Sequence, residues 1–181
     1  MPKKLGQHFL INRKKLEKIA AALDPKARDL IIEIGPGHGE LTRELGIENN
    51  ELRMLAIEKD KKLYEKLVNS NWQSERIQFV CGDALKLLPS MIHNSSFAIQ
   101  SYKLVGNIPF YITGKLLRIL SGLEPRPEKI ILTIQKEVAE RVCAKPPKMN
   151  LLAASVQIWA KPEIIDFISK NDFRPKPAVD A

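Results

Sequence analysis

The run Val105–Gly114, "VGNIPFYITG", closes a short apolar segment on an amide side chain, a proline and two aromatic rings. The Asn107 carboxamide offers an acceptor oxygen and two donors. Pro109 fixes its own φ, contributes no N–H and biases Ile108 toward an extended conformation. Phe110 supplies a flat apolar face for a planar ring. A second set of residues lies upstream. Gly35, Gly37 and Gly39 of "EIGPGHG" let the backbone turn tightly and approach a ligand with no Cβ in the way. Glu58 follows at about the spacing of the acidic residue that takes ribose hydroxyls in dinucleotide sites, and Asp83 closes a further apolar run where it can accept from an adenine amino group. Singly, these are a tight turn and two solvated carboxylates. Together they describe a nucleoside site.

Such residues need a frame that brings them to one rim. "DLIIEIGPGHGELTREL" reads as strand Leu30–Ile34, a glycine turn and a helix from about Glu40. A second strand ends at Glu58, a third at Asp83 and a fourth at Asn107. "EKIILTIQKEV" and "PEIIDFISKNDF" are read as a fifth and a sixth. Helical patterns fill the gaps: Lys14–Leu23, "KKLYEKLVNS", Gly114–Leu120 and Asn150–Trp159. This βαβα succession predicts an α/β fold with a mostly parallel central sheet and helices on both faces. In such sheets ligands bind beyond the carboxyl ends of the strands, where all four candidate positions fall.

Composition sets the bounds. The 181 residues, 44% hydrophobic, suffice for one domain with a real core. Lys and Arg outnumber Asp and Glu by 29 to 21, a net charge of +8, which favours a polyanionic partner. Lys3, Lys4, Arg13, Lys14 and Lys15 near the start, and Arg141, Lys145 and Lys148 further on, are candidates for phosphate contact. The apolar runs are strand-sized and no secretory leader is evident, so a cytoplasmic protein without membrane contact is expected. Cys81 and Cys143 with three scattered histidines show no metal-ligand spacing, so neither a metal nor a structural disulfide is expected.

The motifs "EIGPGHGELT", "GDAL" and above all "VGNIPFYIT" resemble the S-adenosylmethionine-dependent methyltransferases, and specifically the ribosomal RNA adenine dimethyltransferases. "KKLGQHFLIN" is similar to that family's N-terminal signature, "QKEVAERVCAKP" to the helix after its fifth strand, and "FRPKPAVD" to its Phe-x-Pro-x-Pro-x-Val-Asp element. The resemblance spans the chain. It implies a Rossmann-like methyltransferase fold with S-adenosyl-L-methionine as cofactor, held by Gln7, His8, Leu10, Gly35, Gly37, Glu58, Asp83 and Asn107. It gives Asn107, Ile108, Pro109 and Phe110 the catalytic positions, Phe110 and Phe173 the stacking of the target base, and residues 1–24 the closing of the cofactor site. Where this chain has His8 the family usually has Asn.

The implied chemistry suits these residue types. An adenine amino nitrogen is a poor nucleophile because its lone pair is delocalised into the ring. The Asn107 oxygen and a backbone carbonyl at Ile108 or Pro109 can accept both amino hydrogens and localise that pair. No catalytic histidine is demanded. The implied reaction is dimethylation of two adjacent adenosines in a hairpin near the 3′ end of small-subunit rRNA, on the immature small subunit, by a monomer. The related large-subunit rRNA methyltransferases and a non-catalytic RNA-binding assembly factor are the alternatives. A dehydrogenase is disfavoured, since G-x-G-x-G is not G-x-G-x-x-G. The family carries a seventh strand and a helical RNA-binding domain beyond "PAVD", so a shortened or reduced member is expected, with an incomplete last strand, weaker rRNA affinity and intact cofactor binding.

Overall fold

The computed structural model describes residues 6–47, 52–70, 74–93 and 101–181. A two-residue strand β1 (Phe9–Leu10) leads into helix α1 (Arg13–Leu23), whose N-terminus is capped by the Asn12 side chain. Strand β2 (Leu30–Ile34), helix α2 (Glu40–Ile47), strand β3 (Arg53–Glu58), helix α3 (Lys61–Val68), strand β4 (Ile77–Cys81) and helix α4 (Ala84–His93) follow. After β5 (Lys103–Asn107) come a 3-10 turn, Phe110–Ile112, then α5 (Thr113–Ser121), β6 (Lys129–Thr133), α6 (Lys136–Val142), α7 (Leu151–Gln157), a second 3-10 turn, Lys170–Asp172, and the short β7 (Phe173–Arg174).

Among the described residues, five strands form one parallel sheet in the order β4-β3-β2-β5-β6. Alternation along the strands sorts the core into two layers. Ile31 and Val105 face α1 and α2 with Leu16, Leu41 and Leu45, while Ile32, Ile34 and Leu104 face α4 and α5 with Leu88, Leu116 and Leu120. The chain winds outward from β2 through β3 to β4 and returns on the other side of β2 as β5. The strand order therefore reverses between β2 and β5, which opens a crevice above their carboxyl ends.

That seam is tight. A Cβ on Gly106 would lie 2.7 Å from the Ile34 carbonyl oxygen and 3.1 Å from Ile108 Cγ2. Neither the sheet backbone nor a buried isoleucine yields cheaply, so Gly106→Ala is expected to cost about 2 kcal/mol by overpacking. Thermal unfolding should show the midpoint lowered by about 4–8 °C. An unchanged midpoint would mean that the two strands are not held this closely.

Three sequence expectations are corrected. The third strand stops at Cys81, and Asp83 instead heads α4, its Oδ1 accepting from the Leu85 amide at 3.0 Å. The fifth strand covers Lys129–Thr133 alone, because the chain turns into α6 at Lys136. The predicted sixth strand forms no ladder along 162–169: an apolar run becomes a strand only beside a partner, and between this segment and β6 runs a groove of about 700 Å³ lined by Ile131, Val142, Ile164 and Ile165. The segment is clasped to α1, with Lys15 Nζ 2.9 Å from Asp166 Oδ2 and 2.7 Å from the Phe167 carbonyl. Lys15 is thus a structural clasp rather than a free cation for phosphate. Lys3 and Lys4 lie outside the described residues.

The end of that run pairs elsewhere. β7 lies antiparallel to β1, with Phe9 opposite Arg174 and Leu10 opposite Phe173, in a ribbon separate from the main sheet. The Ile11 amide and the Asn12 side chain extend it by donating to the Asp172 carbonyl at 2.9 Å and to Asp172 Oδ1 at 2.8 Å. The ribbon holds residues 7–12 across the mouth of the crevice. Among the described residues, no helix is long and apolar enough to cross a membrane.

Candidate active site

Each wall of the crevice comes from a different element. The turn after β2 supplies Gly35, Pro36 and Gly37, the end of β3 supplies Glu58, and the turn after β4 supplies Asp83. Asn107 to Ile112 come from the end of β5, and Gln7 to Leu10 from the ribbon. Gly35 and Gly37 sit at φ of 70° and 63°, where a side chain is strained. A Cβ on Gly37 would lie 2.8 Å from the Phe9 ring, so the ribbon packs directly on the glycine turn. Phe9 in turn meets the His38 ring at a centroid distance of 4.4 Å.

Glu58 is the organiser of the floor. Its Oε2 accepts from the Gly37 amide at 3.0 Å and its Oε1 from the Asp60 amide at 2.7 Å, so the carboxylate fixes the glycine turn. Burial raises its pKa against these backbone donors. At the rim, burial pulls Asp83 upward, but the Lys59 ammonium 2.9 Å away and the Leu85 amide outweigh it, and the carboxyl titrates below its ordinary value.

Asn107 is held in one orientation. Its Nδ2 donates to the His8 carbonyl oxygen at 2.8 Å, and since a carbonyl only accepts, this contact assigns which end of the amide is nitrogen. Oδ1 is left as the acceptor. The next residues complete the lip. Ile108 is buried, and the Pro109 carbonyl accepts from the Ile112 amide at 3.0 Å, closing the turn that carries Phe110 and retaining its second lone pair.

The structure therefore brings Gln7, His8, Leu10, Gly35, Gly37, Glu58, Asp83 and Asn107 through Phe110 to one cavity. Phe173 is not among its walls. Its ring is 0% exposed, packed in the core with Leu10, Leu16 and Ile168, because the ribbon pairing of β7 turns it inward. No face is left on it for a base, which corrects the expectation of a second stacking face there.

The chain is similar along its whole length to known proteins. A family model described as "Ribosomal RNA adenine dimethylase" matches residues 1–181. The chain belongs to the ribosomal RNA adenine dimethylase family. Within this family it is 38% identical over 179 residues to the "Ribosomal RNA small subunit methyltransferase A" of Dehalococcoides mccartyi (strain CBDB1), covering 99% of this chain and 60% of that protein. The chain thus spans about three-fifths of the length of this curated relative. The fold is shared with a solved 23S rRNA methyltransferase, ErmE, at a TM-score of 0.79 and 25% identity, over 95% of this chain and 66% of that one. A dimethyladenosine transferase from Plasmodium falciparum gives 0.78 and 26%, over 95% and 60%. The five-stranded parallel sheet and two helical layers are the Rossmann-like methyltransferase fold.

One residue of the cavity is missed by sequence pattern alone. Glu33, in the middle of "LIIEI", is 1% exposed and lines the cavity, with the Thr42 hydroxyl donating to its Oε2 at 2.6 Å. A lone carboxylate inside an apolar strand two positions before a glycine turn is the signal that could have found it. Burial pushes its pKa up to about 7, against the Thr42 hydrogen bond. The folded chain keeps this proton while the unfolded chain loses it near 4.5, so stability falls as pH rises between those values, by up to about 3 kcal/mol, and is level above about 7. Glu33→Gln removes the titration and keeps an acceptor for Thr42. Urea melts should show the variant gaining on the wild type from pH 5 to pH 7.5, whereas a constant difference would mean that Glu33 ionises freely in the fold.

Proposed function

We propose that this chain is the catalytic unit of an S-adenosylmethionine-dependent rRNA adenine N6-dimethyltransferase, acting in the cytoplasm as a monomer on two adjacent adenosines near the 3′ end of small-subunit rRNA in immature subunits. The observation that carries it is the fixed Asn107 carboxamide. Its nitrogen is committed to the His8 carbonyl, which leaves its oxygen as the acceptor of a side chain that lines the cavity.

The cavity fits the cofactor by its donor set. Glu58 offers its carboxylate to the ribose hydroxyls, Asp83 stands at the base end, and the side-chain-free position at Gly35 allows close backbone approach. Residues 6–24 of the expected closing arm lie over it through the β1–β7 ribbon, while residues 1–5 fall outside the described residues. S-adenosylmethionine supplies an electrophilic methyl on a sulfonium. The protein has only to present the amino nitrogen. Asn107 Oδ1 accepts one amino hydrogen and a backbone carbonyl of Ile108–Pro109 the other, which draws the lone pair out of conjugation and aims it. As the nitrogen gains positive charge its proton becomes acidic and leaves to water or to the Asn107 oxygen.

The relative named for the small subunit at 38% identity favours that substrate over the large-subunit rRNA of the more distant ErmE. Calorimetry should show binding of S-adenosylmethionine and none of NAD. Labelled methyl groups supplied with immature small and large subunits should enter the small-subunit rRNA. Label confined to the large subunit would transfer the assignment to that substrate.

A further inference from the structure

Tyr111 stands in the lip without a role in the chemistry above. It lines the cavity next to Phe110, yet it is 64% exposed, and its hydroxyl makes no hydrogen bond among the described residues. Gly6 backs the ring on one side, where a Cβ would lie 3.5 Å from Tyr111 Cε1. A ring this large is held in water only against its own tendency to bury, and a flat π-face at the rim of a nucleoside site is a stacking platform. The helix behind it continues the same surface. Gly114, Lys115 and Arg118 follow Tyr111 at i+3, i+4 and i+7, all exposed, while Thr113, Leu116 and Leu120 turn into the core.

We propose that the face formed by Tyr111, Gly114, Lys115 and Arg118 is a track for the RNA strand next to the target adenosine, with Tyr111 stacking on the adjoining base and the two cations on phosphates. The track rests on the rRNA adenine-methylating function above. Its charge is uncommitted. Helix α5 contains no acidic residue, and among the described residues neither Lys115 nor Arg118 enters an ion pair, unlike Lys15, Lys59 and Lys103, whose ammonium groups lie 2.7–2.9 Å from carboxylates. Helix stability accounts for neither Gly114 nor Lys115. A lysine in the first turn opposes the helix dipole, and Gly114 is a poor helix former at a place where a Cβ would meet nothing within 4 Å. Both suit an RNA backbone: the glycine permits close approach and the lysine meets a phosphate. From Tyr111 to Arg118 is about 10 Å of helix, the length of about three stacked nucleotides at ~3.4 Å each.

Four variants test the track, read by fluorescence anisotropy with an rRNA hairpin that carries the target adenosines, by methyl transfer to that hairpin, and by calorimetric affinity for S-adenosylmethionine. Tyr111→Ala should weaken hairpin binding by about 5- to 100-fold, and Tyr111→Phe, which keeps the ring, by less than about threefold. Lys115→Gln combined with Arg118→Gln should lower the slope of log K against log salt by about 1.4, about 0.7 for each phosphate released. Gly114→Glu sets a carboxylate on the track one turn before Arg118. It should raise the thermal midpoint, because glutamate suits the first turn of a helix, while weakening hairpin binding by on the order of 10-fold. Cofactor affinity should stay within about threefold in all four.

Tyr111→Phe as damaging as Tyr111→Ala would make the hydroxyl the point of contact and overturn the stacking. An unchanged salt slope in the double glutamine variant, or hairpin binding untouched by Gly114→Glu, would overturn the track. Loss of cofactor affinity in step with hairpin binding would place Tyr111 with the cofactor and overturn it as well. A wild-type chain that binds the hairpin, shows the expected pattern across the variants and leaves the adenines unmethylated contradicts the methylating function while supporting an RNA-binding face. Wild-type methylation that is unaffected by all four variants contradicts the track alone.

Discussion

Asn107→Ala should lower methyl transfer by on the order of 10²–10³-fold while leaving S-adenosylmethionine affinity within about threefold, the size expected when one preorganised polar group is removed from a reacting centre. The asymmetry follows from geometry. The carboxamide nitrogen is committed to the His8 carbonyl, so alanine removes the one side-chain oxygen positioned for an amino hydrogen. The ribbon itself should remain closed, since the β1–β7 pairing and the His8–Pro175 hydrogen bond do not involve Asn107. Asn107→Asp is no remedy. Its carboxylate has no donor for the His8 carbonyl and would set two acceptors against each other at about 2.8 Å. Single-turnover rates with calorimetric Kd values check both variants. Near-normal turnover in Asn107→Ala would remove this residue from the catalytic role.

Glu58→Ala should show the reverse pattern. Two hydrogen bonds from ribose hydroxyls to a carboxylate are lost, and hydrogen bonds to charged groups contribute about 1.5–3 kcal/mol each. Kd for S-adenosylmethionine should therefore rise by on the order of 10²-fold, with the rate at saturating cofactor lowered far less. A second effect adds to the first. The Gly37 and Asp60 amides lose their acceptor, so the glycine turn on which Phe9 packs is no longer pinned. Glu58→Gln keeps one acceptor oxygen but turns an NH₂ toward the other amide, and should fall between the wild type and alanine. Unchanged cofactor affinity in Glu58→Ala would mean that the carboxylate serves only the fold.

Local pattern marks much of the site, and long-range pairing builds the rest. Strand Leu30–Ile34, the glycine turn, Glu58 and Asn107 were legible because in a parallel sheet each βα turn delivers its residues to the same rim whatever the lateral strand order. Glu33 was not. Among Leu30, Ile31, Ile32 and Ile34 it looks like a strand position, and its depth depends on α2 placing Thr42 over it.

The misread sixth strand has a different cause. Apolar character marks Ile164, Ile165 and Ile168 for burial but does not supply a partner, and the segment is fastened by Lys15 from α1 instead of by a β-ladder. The positions of Phe173 and His8 are set by long-range pairing as well. Residues about 165 positions apart pair in the β1–β7 ribbon, which turns Phe173 into the core and leaves His8 in the cavity. The Asn107–His8 hydrogen bond, across 99 positions, is equally invisible to any local pattern.

The chemistry itself gives the most direct test. Immature small subunits that lack adenine methylation would be incubated with this chain and methyl-labelled S-adenosylmethionine, and the rRNA digested to nucleosides for mass spectrometry. The geometry at Asn107 predicts N6,N6-dimethyladenosine at two adjacent positions, with label lost in Asn107→Ala. Label on a ring nitrogen or carbon, or on another base, would contradict the role of the fixed carboxamide oxygen.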